Sequence, residues 1–235
     1  MKTVLFDLDG TLLPMDQDAF AEAFTRGLFG ELCRLGYGAD TARAALSAAI
    51  PAILKNDGTR TNEEAFLSTF ESVAGARIRR DAPALRAYYR EGFSAVQATC
   101  GFTPRAREIL DLLHAKGIPA VLATSPIFPR EATVARIGWA GLVPEDFLHI
   151  TTYETSSFCK PHLGYYREIL TSLSLTPQDC LMIGNDATED MVARELGMEV
   201  FLLTDCLINR RGVDLTPFPR GGWDELFRAV RDFIS

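Results

Sequence analysis

The sequence predicts an α/β protein: a Rossmann-like parallel sheet with helices on both faces and an α-helical subdomain inserted into it. Three observations predict this. Short apolar runs at Val4 to Phe6, Ile118 to Ala123, Cys180 to Ile183 and Glu199 to Leu203 have strand length and little polar alternation, as strands buried on both faces do. Segments of helical periodicity separate the later runs, which is the βαβ pattern with its right-handed crossovers. Between the first and second runs, four helical stretches follow one another with no strand among them, and these cannot be threaded through a parallel sheet.

The first strand, Val4 to Phe6, runs into Asp7-Leu8-Asp9-Gly10-Thr11. After Leu13-Pro14 the period changes to that of a helix, with Phe20, Phe24, Leu28 and Leu32 on one face and Glu22 and Arg26 paired at i,i+4. A second helix spans about Asp40 to Leu54, interrupted at Pro51, and Asn56-Asp57-Gly58 reads as a turn. Thr61 and Glu64 form a capping box ahead of Ala65, Phe66, Phe70 and Val73. A fourth helix starts after Asp81, with Pro83 in its first turn, and runs towards Val96. Thr103-Pro104 then opens a helix with Ala106, Ile109, Leu110 and Leu113 on its apolar face, ending at Lys116-Gly117.

The strand Ile118 to Ala123 stops at Thr124-Ser125-Pro126. A helix from about Arg130 to Ile137 and a short strand from His149 to Thr152 follow. Lys160-Pro161 precedes a helix carrying Leu163, Tyr166, Leu170 and Leu173. Cys180 to Ile183 leads into Gly184-Asn185-Asp186, a helix from Ala187 to Leu196 ends at Gly197, and Glu199 to Leu203 is the last strand. Asn209 to Gly222 reads as loop, and Trp223 to Phe233 as the closing helix. The expected division is a core of residues 1–14 and 99–235 with a helical cap of residues 15–98.

Composition narrows the function classes. Hydrophobic residues make up 47% of 235 and charged residues 23%, an ordinary globular balance. A net charge of −7 argues against a nucleic-acid surface or an anionic membrane as partner. Any phosphate site in so acidic a chain needs local cations. The five cysteines are widely spaced without zinc-ligand pairing, which points to reduced thiols. No signal peptide precedes the first strand and no apolar run reaches transmembrane length, so the expected location is cytoplasmic.

The chemistry gathers at strand ends. Asp7 sits at the carboxyl edge of the first strand, where open α/β sheets build their sites, and Asp9 lies just beyond. Two carboxylates this close repel unless a cation lies between them, and Mg²⁺ prefers such oxygen ligands. Gly10 allows a sharp turn and Thr11 adds a hydroxyl, although a plain Asx turn fits the same residues. Thr124 offers a hydroxyl and an N–H to a phosphoryl oxygen. The Lys160 ammonium can neutralise a transferring phosphoryl group and orient a carboxylate. Asp186 and Asp190, four apart, share a helix face and point to a metal, while an ordinary helix cap is the plainer alternative.

In this order Asp7-x-Asp9-Gly10-Thr11, Thr124, Lys160-Pro161 and Gly184-Asn185-Asp186-x3-Asp190 are similar to the four motifs of the haloacid dehalogenase-like hydrolase superfamily, in its phosphatase branch. The resemblance covers the whole chain and implies a helical cap between motifs one and two. It implies that Asp7 is a nucleophile forming an aspartyl-phosphate and that Asp9 is the general acid and base. It further implies phosphate binding by Thr11, Thr124, Ser125 and Lys160, and Mg²⁺ held by Asp7, the Asp9 carbonyl and Asp186, with Asp190 supporting. The commoner pattern has Asp directly after Gly184, so either Asp186 or the Asn185 amide faces the metal. The implied function is hydrolysis of a small phosphomonoester by a monomer or homodimer. The alternatives are a sugar-phosphate phosphomutase, a phosphonate hydrolase using Lys55, the cap's one lysine, a dehalogenase, or a binding protein without catalysis.

Overall fold

The computed structural model describes residues 1–235. Six parallel strands form one sheet in the order β3-β2-β1-β4-β5-β6. These are β1 (Thr3–Phe6), β2 (Ala120–Leu122), β3 (His149–Ile150), β4 (Cys180–Gly184), β5 (Glu199–Leu203) and β6 (Arg220–Gly221). β1 is central: Leu5 pairs with Val121 on one side and Met182 on the other. Successive residues of β1 point to opposite faces, as the strand period requires. Val4 and Phe6 join one large apolar cluster, whereas Leu5 joins a second with Val121, Met182, Tyr165 and Ile169. The strand order reverses between β1 and β4, and the crevice at such a switch point is where open sheets bind ligands.

Helices α1 (Gln17–Arg34), α2 (Ala39–Leu54), α3 (Asn62–Ala74) and α4 (Arg77–Glu91), followed by a 3₁₀ helix at Phe93–Thr99, make up the insertion. Their buried faces carry Phe20, Leu28 and Leu32 from α1, Ala45 and Ala49 from α2, and Phe66 and Phe70 from α3. The capping box at Thr61 forms in part, with its hydroxyl accepting the Glu64 N–H at 3.2 Å. The chain enters and leaves the insertion side by side. Met15 and Cys100 form an antiparallel bridge, and the Gly101 N–H donates to the Pro14 carbonyl at 2.6 Å.

After the insertion come α5 (Arg105–Ala115), α6 (Arg130–Trp139), α7 (Leu163–Ser172) and α8 (Trp223–Ile234). All five cysteines are free thiols. No helix is long and apolar enough to cross a membrane.

Several boundaries depart from the sequence expectation, each for a local reason. α2 runs through Pro51 to Leu54, with Ala49 and Ile53 on either side of the proline buried. α4 begins at Arg77 rather than after Asp81, because Ile78 is fully buried and Arg77 pairs with Asp81 at 3.0 Å. β2 begins only after Pro119, which has no N–H for the ladder. The helix expected from Ala187 is instead a run of turns to Asp190 and then a 3₁₀ helix at Met191–Leu196. There the Ala187 N–H goes to the Ile208 carbonyl, and the Asp190 side chain holds the Asp186 N–H. β6 lies within the segment expected as loop, since its two residues join the sheet through backbone pairing alone.

Candidate active site

Asp7 leaves the end of β1 with its N–H on the Ile183 carbonyl of β4 at 2.9 Å, which fixes it in the switch-point crevice. The chain then folds back tightly: the Leu13 N–H reaches Leu8 O at 2.9 Å and the Gly10 N–H reaches Leu13 O at 2.8 Å. Gly10 has φ +85°, and a Cβ there would lie 2.3 Å from the Asn185 amide nitrogen, so only glycine fits.

Lys160 is the electrostatic centre. Its Nζ lies 2.9 Å from Asp7 Oδ1 and 2.6 Å from Asp190 Oδ1, and all three side chains are buried. Burial works against its charge, yet the Asp190 and Asp7 carboxylates hold its pKa well above the ordinary value. Asp190 in turn accepts the Asp186 N–H on Oδ2 at 2.9 Å, so both its oxygens are committed. A Cβ on Gly184 would fall 2.0 Å from that carboxylate, which makes the glycine necessary for the approach. Burial pushes the neighbouring Glu189 carboxyl up to about 8, against the pull of Lys160.

Asp9 is held differently. Its Oδ2 pairs with Arg136, a residue of α6 with no exposed surface. The guanidinium also donates to Thr133 Oγ1 at 3.3 Å and lies 4.1 Å from the Phe128 ring centroid. Asp9 Oδ1 is buried with no partner. Burial raises the Asp9 carboxyl to about 6, Arg136 pulling it down and Asp7 adding to the rise. The Asp9 carbonyl accepts from Gln17 Nε2 at 2.8 Å.

A cavity of about 280 Å³ opens over these groups, and Asp7, Asp9, Thr124, Ser125, Asp186 and Asp190 all line it. Lys160 lies beneath its floor through the contacts above. The Thr124 carbonyl is tied down by the Tyr165 hydroxyl at 2.9 Å and the Thr151 hydroxyl at 2.6 Å, which fixes the Thr124-Ser125 corner. Thr11 is not on the wall: its hydroxyl donates to Asn185 Oδ1 at 3.1 Å. Asn185 also donates to the Cys206 carbonyl at 2.7 Å, so both ends of its amide are engaged. Asp186 accepts the Thr188 and Glu189 N–H groups on Oδ1, which leaves Oδ2 uncommitted. A larger open cleft of about 650 Å³, lined in part by Arg86, Arg90 and Arg130, contains none of the strand-end carboxylates.

Sequence reasoning missed Arg136, because an arginine on an amphipathic helix reads as solvated and Asp9 lies far away in the chain. Glu189 and the Cys206 carbonyl were also missed. Only Glu189 gave a signal, as one more acid in the Asp186 to Asp190 run.

The family model described as haloacid dehalogenase-like hydrolase matches residues 1–197. Among solved structures, an HAD phosphatase from Thermococcus onnurineus aligns over 98% of both chains at 20% identity with a TM-score of 0.57. A putative β-phosphoglucomutase from Thermotoga maritima aligns over 99% of both at 18% and 0.57. An L-2-haloacid dehalogenase from Xanthobacter autotrophicus aligns over 98% of both at 16% and 0.57. At these identities the likeness is one of fold, and the three names carry three chemistries. A search of the curated proteins finds no match.

Proposed function

This chain belongs to the haloacid dehalogenase-like hydrolases, and from that premise we propose that it is a Mg²⁺-dependent phosphatase acting on a small phosphomonoester through an aspartyl-phosphate on Asp7. The observation that carries the reading is the pairing of a buried, lysine-held Asp7 with a second carboxyl, Asp9, whose free oxygen is buried beside the same cavity.

The donor set fits a hard divalent cation. Five acids line one cavity, and Asp186 Oδ2 is uncommitted there. Mg²⁺ is usually held by one or two carboxylates with water and substrate phosphate. Asp7 and Asp186 would hold it together with the Asp9 carbonyl. Asp190, with both oxygens engaged, would act as support. When bound, the ion would supply Lewis-acid stabilisation of the transferring phosphoryl group.

The chain's own residues then divide the work. Asp7 Oδ1 is fixed by Lys160, which aims the carboxylate and offsets charge on the phosphoryl oxygens. Thr124 and Ser125, on their anchored corner, bind those oxygens. Asp9 Oδ1 gives a proton to the leaving oxygen and later takes one from water, and a carboxyl raised to about 6 is suited to both steps near neutrality. Asp9 and the acidic Asp186–Asp190 turn favour phosphoryl over dehalogenation chemistry. Hydrolysis is favoured over a sugar-phosphate mutase because no cationic side chain lines the cavity to hold a second phosphate. Lys55 is exposed and off the cavity wall, which disfavours Schiff-base phosphonate chemistry.

The test is phosphate release from p-nitrophenyl phosphate with and without Mg²⁺, in the wild type and in Asp7→Asn. Turnover should need the metal and vanish in the variant, because an amide cannot form the acyl phosphate. Near-wild-type turnover by Asp7→Asn would remove Asp7 from the mechanism and end this reading.

A further inference from the structure

The part of the cavity that meets the rest of a substrate differs sharply from the part that meets phosphate. The wall supplied by the insertion is Phe20, Ala21 and Phe24 from α1 and Ile50 and Leu54 from α2, with Phe128 completing it from the core. Phe128 packs edge-on against Phe24 at 4.8 Å and Phe20 at 6.0 Å between centroids, so three rings form one surface. Polar groups on that wall are few and neutral. Gln17 already donates to the Asp9 carbonyl, and Thr25 lies at the exposed margin.

No Lys, Arg or His side chain lines the cavity. The cations nearest the site are already paired, Lys160 with Asp7 and Asp190, Arg136 with Asp9, and Arg210, which feels the Asp186 charge, with Asp18. Leu54, an apolar side chain of the same wall, stands 52% exposed. Behind Phe24, Ile50 and Ile127 lies a narrow cleft of about 40 Å³, lined almost wholly by apolar side chains, so the apolar surface continues away from the phosphoryl site.

Resting on the phosphatase reading above, we infer that the substrate is the phosphomonoester of an uncharged, apolar alcohol, an alkyl or aryl phosphate, rather than a sugar phosphate or a phosphorylated acid. The wall removes apolar surface from water, which favours hydrocarbon at about fourfold in binding per buried methylene. A sugar would leave several hydroxyls without partners there, and a leaving group bearing a carboxylate would sit uncompensated among five acids. The volume of about 280 Å³ is on the order of nine water volumes, which leaves room beside the phosphoryl group for roughly six to eight heavy atoms.

The experiment measures kcat/KM with Mg²⁺ for methyl through hexyl phosphate and benzyl phosphate, against glucose 6-phosphate and phosphoglycolate. Along the alkyl series kcat/KM should rise about threefold to fourfold per methylene, and benzyl phosphate should exceed both polar esters by at least about tenfold. Ile50→Gln and the exposed Leu54→Gln should flatten the rise with chain length. The Leu54 variant keeps the test open if the Ile50 variant does not fold. A flat alkyl series, or a polar ester turned over as well as the best alkyl ester, overturns this inference and leaves the phosphatase reading standing. No phosphate release from any of these esters or from p-nitrophenyl phosphate overturns both.

Discussion

A guanidinium with no exposed surface is an expensive way to hold one carboxylate. Arg136 lies against Asp9, Thr133 and the Phe128 ring, so its charge is matched by Asp9 alone. Removing one partner of such a pair leaves an uncompensated buried charge, which typically costs about 3–5 kcal/mol. Here the cost can be relieved, because Asp9 can take up a proton. Arg136→Met removes a charge that lowers the Asp9 pKa, so the carboxyl moves further above 6. The variant should therefore be less stable than the wild type by about 3 kcal/mol at pH 8 and by much less at pH 5, where Asp9 is neutral in the variant. Urea unfolding at the two pH values checks this, and an equal deficit at both would mean that Arg136 acts through packing alone. No pattern in the sequence marks this pair, since 127 residues separate its members. Asp7, Asp9 and Asp190, by contrast, stand in short motifs that follow apolar strands, and Lys160 stands out through the Lys160-Pro161 pair ahead of a helix.

Among the elements, the strands with continuous apolar runs were readable at once, and so were helices with a full apolar face such as α5. Pieces shaped by distant partners were not readable. β6 exists through its pairing with β5, and the turns from Ala187 to Asp190 follow from carbonyls and carboxylates elsewhere. The contact of α3 with the core is of the same kind. Asn62, at its first position, is fully buried; its Nδ2 donates to the Pro126 carbonyl at 3.1 Å and the Phe158 carbonyl at 3.3 Å. Its own N–H donates to Ser156 O, and the Glu63 N–H donates to Tyr153 O, both at 2.8 Å. Pro126 directly follows the Thr124-Ser125 corner, so this latch ties the insertion to the loop that carries that corner. Asn62→Ala should cost about 1–3 kcal/mol through the carbonyls left unpaired. It should also speed amide hydrogen exchange in the loop around Ile127 and Phe128. Unchanged exchange there would show that the loop holds itself.

Over the whole molecule, the acids of the site make stability depend on pH in a definite direction. Asp9, raised from 3.8 to about 6, and Glu189, raised from 4.5 to about 8, bind protons in the folded chain that the unfolded chain would already have released. Folding is then most favoured at acid pH within this range and weakens as pH rises from about 4 to 8. The Asp9 shift alone corresponds to about 3 kcal/mol, which for a chain of this length is a fall in Tm on the order of 10 °C. Melting in EDTA from pH 4 to pH 8 should show that fall, and Mg²⁺ at pH 8 should recover part of it by binding the ionised acids. A Tm rising with pH in EDTA would contradict the assignment. One other feature acts at this scale. The large apolar cluster on the Val4 and Phe6 face of the sheet also contains Leu28 and Leu32 of α1, Ala45 of α2, Phe70 of α3 and Ile78 of α4. The insertion and the sheet thus share one interior, so grafting the insertion of a relative onto this core would have to rematch both sides of that interior at once. Under the substrate inference above, preference is accordingly easier to shift by point substitution at Ile50 or Leu54 than by transplanting the whole segment.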